Sequence, residues 1–235
     1  MNKKLSPLQT KLLEMLKWFH EFCETNHLRY YAIGGTMLGA VRHQGFIPWD
    51  DDIDVGMPRK DYKRLQALLA HHAGRYILET PGENPDFFYP FAKLYDTTTT
   101  LVENTKYQIK RGVYLDIFPL DGLGNSAEEA QRNFSHLAWK LNLLIARTTG
   151  IRKGRKFLKN LSVYVARCIP NFIVDNQKLL QRVVQECQKY DFDQYDFGAN
   201  TVGVARMKEI VPRVVFGKPM LYPFEDIYIW GGRSR

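Results

Sequence analysis

The chain has 235 residues, with 45% hydrophobic and 25% charged side chains and a formal net charge of +8. That balance excludes a disordered or fibrous chain and leaves enough apolar material for one well-packed domain. No run approaches the ~20 apolar residues of a membrane-spanning helix, and the N-terminus lacks the apolar stretch of a secretory signal, so a cytoplasmic protein is expected.

Ser6-Pro7-Leu8-Gln9 reads as a capping box opening an amphipathic helix that runs to about Asn26, with apolar residues at Leu8, Leu12, Met15, Leu16, Phe19 and Phe22. A short strand over Arg29–Ile33 is stopped by Gly34-Gly35, and a brief helix follows over Thr36–Val41. After a loop with Gly45 and Pro48 comes Asp50-Asp51-Asp52-Ile53-Asp54-Val55, whose alternation predicts a strand with Asp52 and Asp54 on one face. A helix is expected over Lys60–His72. Strands are expected over Arg75–Glu79, Tyr89–Tyr95, Thr99–Glu103 and Gly112–Phe118, the last apolar except for Asp116. From Ser126 to about Tyr190 the pattern is helical, with breaks at Gly150–Gly154 and Pro170, and strands are expected again near Thr201–Ala205 and Leu221–Tyr228.

The fold class is therefore α+β: a mixed β-sheet core over residues 1–125 with flanking helices, and a helical C-terminal half over 126–235 completing the same domain. Cys23, Cys168 and Cys187 are odd in number and widely spaced, which suits reduced core residues.

The positive charge is local. Between Ala130 and Val174 there is no Asp or Glu, while nine residues are Lys or Arg, leaving the remainder of the chain close to neutral. Without interleaved aromatics or a known recognition motif, that segment does not read as a nucleic-acid site. Arg152, Lys153, Arg155, Lys156 and Lys159, with Leu158, Leu161, Val163, Tyr164 and Val165, instead suggest an amphipathic helix lying on an anionic membrane, the alternative being an ordinary solvated face.

The chemistry concentrates between Tyr30 and Asp54. Two carboxylates one pleat apart suit Mg²⁺, which takes oxygen ligands and leaves positions open for phosphate. Gly34 and Gly35 allow close backbone approach to a phosphate, with Thr36 at a helix start. Asp116 is a third carboxylate in an otherwise apolar strand, where it needs a partner. Taken singly, Asp-x-Asp is more often a solvated turn or a cap than a ligand pair, and Asp116 alone is more often a structural hydrogen-bonding residue than a ligand. An EF-hand fits poorly, since it requires Gly where Val55 stands.

Together these motifs resemble the nucleotidyltransferase superfamily. The stretch Ile33–Asp54 (IGGTMLGAVRHQGFIPWDDDID) and the stretch Leu115–Gly122 (LDIFPLDG) resemble the LicD family, phosphocholine transferases related to fukutin and fukutin-related protein. That resemblance implies a nucleotidyltransferase-type core and transfer of a phospho-alcohol, phosphocholine above all, from CDP-choline or another CDP-alcohol. The implied acceptor is a hydroxyl of a cell-surface glycan precursor such as lipopolysaccharide, teichoic acid or capsule, lipid-linked at the membrane. Asp52, Asp54 and Asp116 would be catalytic and hold Mg²⁺, with Mn²⁺ as a substitute. Gly34, Gly35, Thr36, Arg42, His43, Trp49 and Lys93 would contact substrate.

Read alone, Trp49 is a packing tryptophan and His43 a hydrogen-bonded loop histidine, while for Arg42 and Lys93 a surface salt bridge is as frequent as a substrate contact. The competing functions are a metal-dependent glycosyltransferase with a nucleotide-sugar donor, or an inactive CDP-alcohol-binding homologue. Family members continue past Leu221–Trp230, whereas this sequence stops at Arg235, which reads as a truncation.

Overall fold

The computed structural model describes residues 5–72, 74–102, 110–148, 157–203 and 205–233. α1 (Pro7–Thr25) begins as expected: the Ser6 Oγ accepts from the Gln9 amide at 3.1 Å and the Gln9 side chain accepts from the Ser6 amide at 3.0 Å. Such a cap stabilises a helix by about 1 kcal/mol. Here it also sets register, because the Gln9 Nε2 donates to the Asp50 carbonyl at 3.0 Å and ties the helix start to the acidic loop.

β1 (Tyr31–Ala32), α2 (Gly34–His43), β2 (Asp54–Pro58), α3 (Arg59–Leu69), β3 (Tyr76–Glu79) and β4 (Ala92–Asp96) follow. Next come the small ribbon β5 (Leu101–Val102) and β6 (Lys110–Arg111), then the long β7 (Tyr114–Gly124). Three helices come next: α4 (Ala127–Thr148), α5 (Phe157–Cys168) and α6 (Asn176–Cys187). The described chain closes with β8 (Phe197–Asn200), β9 (Val211–Pro212), β10 (Met220–Phe224) and β11 (Ile227–Gly231), with short 3₁₀ turns before and after β9.

One nine-stranded mixed sheet unites both halves in the order β10-β11-β1-β2-β7-β4-β3, with β8 added beside β7 and β9 beside β8. β2 and β7 are parallel; β1 with β2, and β4 with β7, are antiparallel. Val55, Met57, Leu115, Ile117 and Leu94 point into one core shared with α1 and α3, all with no exposed surface. Alternation then sends Asp54, Asp116 and Lys93 to the other face. There Phe91 and Phe118 meet the core of α4 and α6. The α+β class is as the sequence indicated.

Several boundaries moved. α2 starts at the glycine pair rather than after it, and β2 starts at Asp54, so Asp52 lies just before the strand. The Asp116 amide still donates to the Ile53 carbonyl at 3.0 Å, which extends the pairing to the edge of the acidic run. Residues 201–203 form a turn after β8 instead of a strand.

The Leu221–Tyr228 stretch is a hairpin, broken where Glu225 takes a φ of +54°. The C-terminal half is thus not simply helical: it supplies β8 to β11 to the common sheet. Cys23 and Cys187 are buried, but Cys168, the last residue of α5, is exposed because it falls on the outer face of that helix. Glu103 of the expected fifth strand, the Gly150–Gly154 break, and Arg152, Lys153, Arg155 and Lys156 lie outside the described residues.

Candidate active site

Three adjacent strands place a row of charged side chains. Asp54 of β2 sits opposite Asp116 of β7, and Asp116 sits opposite Lys93 of β4. Residues in register on neighbouring strands share a face, so the row follows from pairing alone. The Lys93 Nζ donates to the Asp116 Oδ1 at 2.7 Å. Lys93 is 2% exposed, and its ammonium also lies 3.3 Å from the centroid of the Tyr114 ring and 4.5 Å from that of Tyr89. A cation over aromatic faces is favourable where water is excluded. Lys93 is therefore no surface salt-bridge residue; it is a buried cation bonded to Asp116.

The glycine pair faces carboxylates. Gly34 has a φ of +55°, a conformation that favours glycine, and a Cβ there would lie 3.1 Å from the Asp54 Oδ2. A Cβ on Gly35 would lie 2.8 Å from the Asp50 Oδ2, too close to fit without a shift. Thr36 is buried, and its Oγ1 accepts from the Asp54 amide at 2.9 Å, so it anchors the start of β2. No side chain caps α2, which leaves its first-turn amides facing the acidic residues.

The carboxylates strain against each other. Burial first, then the charges of Asp52 and Asp116, push the Asp54 carboxyl up to about 8. Burial, with Asp50 and Asp51 and then Asp116, pushes Asp52 up to about 6. Among the described residues, Asp50, Asp51 and Asp52 form the group of three whose carboxylate oxygens lie within 4.8 Å of one another. Asp52 links that group to the Asp54–Asp116 pair. An all-oxygen donor set with this much self-repulsion is chemically matched to a hard divalent cation.

The loop between α2 and β2 is more exposed. Trp49 is 83% exposed, so the packing role is overturned: the ring has no core to enter beside the acidic run. Arg42 and His43 are exposed in the last turn of α2, and neither has an ion-pair or side-chain hydrogen-bond partner among the described residues. The salt-bridge reading of Arg42 and the hydrogen-bonded reading of His43 do not hold.

Two elements that sequence reasoning missed hold this site. The β10–β11 turn clamps the loop: the Glu225 amide donates to the Gln44 carbonyl at 2.7 Å, and the Glu225 Oε1 accepts from the Phe46 amide at 2.9 Å. At the far end of β2, Arg59 of α3 makes a bidentate pair with buried Asp121 of β7 at 2.6 and 2.7 Å. Asp121 also accepts from the Thr201 hydroxyl at 3.2 Å. Nothing local in the sequence marks Glu225, whereas Asp121 sits in the second motif.

Residues 27–140, which hold the whole charged row, match the family model described as "LicD/FKTN/FKRP, nucleotidyltransferase domain". Over these residues the chain carries a LicD-type domain. Among its relatives is the lipopolysaccharide cholinephosphotransferase LicD of Haemophilus influenzae, 37% identical over 127 residues, covering 52% of this chain and 47% of that protein. The human ribitol 5-phosphate transferase FKRP is 35% identical over 68 residues, 29% of this chain and 14% of that protein. Mannosyltransferase regulator 4 of Saccharomyces cerevisiae is 29% identical over 117 residues, 46% of this chain and 10% of that protein. The chain thus spans about half the length of the LicD relative and far less of the other two. The LicD-family match includes β1 to β7 but not the β10–β11 clamp.

Proposed function

We propose that the protein is a Mg²⁺-dependent transferase moving a phospho-alcohol, with phosphocholine first, from a CDP-linked donor to a hydroxyl of a cell-surface glycan precursor, releasing CMP. One observation carries this reading: Asp54 and Asp116 face each other on parallel strands beside the glycine start of α2, within a LicD-family domain. One relative is named for choline phosphate and another for ribitol 5-phosphate, so an alcohol phosphate is the common group.

Asp52, Asp54 and Asp116 would hold the cation, with Mn²⁺ able to replace it. Bound there, Mg²⁺ offsets the charge of the donor pyrophosphate and of the phosphoryl oxygens during transfer. The first-turn amides of α2, at Gly34, Gly35 and Thr36, donate to phosphate oxygens. Arg42, exposed and without a partner among the described residues, adds a cation for the donor, and His43 relays a proton at the leaving side. Trp49 offers an exposed ring to stack on cytosine or cover a quaternary ammonium. Asp116 takes the proton of the acceptor hydroxyl while Lys93 fixes its orientation through Oδ1.

The test is a panel of CDP-alcohols incubated with purified protein and scored for nucleotide release. CMP with the donor's β-phosphate in the product is expected, abolished by EDTA and restored by Mg²⁺. Release of the nucleoside diphosphate from a sugar donor would establish a glycosyltransferase instead. Tight CDP-alcohol binding without any release would mark an inactive homologue.

A further inference from the structure

The face that carries Asp116 also carries a series of rings. Alternation along β7 turns Tyr114, Asp116 and Phe118 to one side, with Leu115 and Ile117 buried on the other. Strand pairing sets Tyr95 opposite Tyr114 and Lys93 opposite Asp116. One pleat further, Phe91, just ahead of β4, meets Phe118 with ring centroids 4.3 Å apart. Tyr89 continues the series, its centroid 5.3 Å from that of Phe91. Asp116 is thus flanked along its own strand by two rings and bordered on the β4 side by two more.

Tyr89, Phe91, Tyr114 and Phe118 are each half-buried, whereas the Lys93 that three of them contact is buried. Aromatic surface beside a few fixed charges is the usual lining of a site for a small polar molecule. Its place in the sheet says which part of the reaction it serves. β7 lies between β2 and β4, and α2 faces the carboxylates from the β2 side through Gly34 and Gly35. In-line transfer puts the attacking and leaving oxygens on opposite sides of the phosphorus. A nucleotide held at the start of α2 therefore leaves the β4 side, with Asp116 and the rings, to the attacking hydroxyl.

Charge narrows the occupant further. The Lys93 ammonium lies 3.3 Å from the Tyr114 centroid and 4.5 Å from that of Tyr89. A quaternary ammonium on the same rings would meet a like charge at close range. A sugar ring is neutral, and its C–H bonds, polarised by the neighbouring oxygens, suit the negative face of an aromatic ring.

We propose that Tyr89, Phe91, Tyr114 and Phe118 form the acceptor subsite, a platform on which the sugar bearing the accepting hydroxyl stacks beside Asp116. This rests on the reading of Asp116 as the group that takes the acceptor's proton. The rings orient the sugar, and so select which hydroxyl meets the carboxylate.

The test is saturation-transfer NMR of the full chain with the methyl glycosides of glucose, galactose and their N-acetylamino forms, without donor or metal. At least one should bind at millimolar concentration, with saturation strongest on the C–H protons of one ring face. Tyr89→Leu and Tyr114→Leu should each weaken that glycoside about tenfold, while Tyr89→Phe and Tyr114→Phe retain it. CDP-choline affinity in Mg²⁺, measured on the same variants, should change less than about twofold. Tyr89 lies outside the strands, so its variants keep the test valid if Tyr114→Leu unfolds the sheet. No glycoside binding by the parent would overturn the proposal, as would binding indifferent to both Leu variants. A loss of CDP-choline affinity in place of glycoside affinity would assign the rings to the donor and overturn it equally. Ring-dependent glycoside binding by a protein that releases no CMP from any CDP-alcohol would uphold the platform and count against the transferase reading alone.

Discussion

The raised carboxyl of Asp54 has a consequence for stability that can be measured without substrate. Its folded value near 8 lies well above the ~3.9 of an unfolded aspartate, so the folded state binds more protons between those limits. Stability contributed by this group is therefore lost as pH rises from about 4 to about 8. Asp54→Asn removes that loss. In metal-free protein at pH 8 the variant should melt roughly 3–6 °C higher than the parent, and the gain should vanish near pH 4. Transfer activity should fall to background at every pH, as it should for Asp52→Asn and Asp116→Asn. An Asp54→Asn protein that melts lower at pH 8 would show that the carboxylate is compensated in the folded state. Lys93→Met acts in the opposite sense: it leaves the largely enclosed Asp116 without the Lys93 ammonium and should cost about 3 kcal/mol by chemical denaturation.

Elements make the site through pairing, and that explains what the sequence showed and what it hid. The Asp-x-Asp spacing and the lone Asp116 in an apolar strand were readable because alternation is local. Lys93 could be flagged as a charge interrupting an apolar run, but its depth depends on β4 lying against β7. Trp49 was misread because its apolar bulk argues for burial, while the glycine- and proline-bearing loop holds it outward. Glu225 carried no signal, since its role arises from a hairpin 179 residues along the chain from the Phe46 amide it holds.

Glu225→Ala should remove one of the two clamp bonds and cost about 1 kcal/mol. Faster amide exchange across residues 44–49 than in the parent is the sharper expectation, with reduced turnover following from the looser loop. An exchange pattern unchanged there would mean that the main-chain bond to Gln44 and the Phe46–Phe224 ring contact suffice. Arg59→Met, at the other end of β2, strands a fully buried Asp121 and should destabilise by about 3–5 kcal/mol.

At the scale of the whole molecule, the α+β class and most helices of the second half were legible from periodicity. The continuity of the sheet was not, because β8 to β11 are short and reach their partners only across long stretches of chain. The residues outside the family match therefore belong to the structure that carries the row. The parallel pairing of β11 with β1, at Gly231 and Ala32, joins segments almost two hundred positions apart. A ribosome emitting the chain from its N-terminus releases the acidic motif early and the strand that flanks it late. Until residues 220–231 emerge, β1 is an open edge and the Gln44–Phe46 loop has no clamp. The nascent protein should then hold its carboxylates beside an unclamped loop and an unpaired strand edge, and the row gains its lateral support only after residues 220–231 have been made.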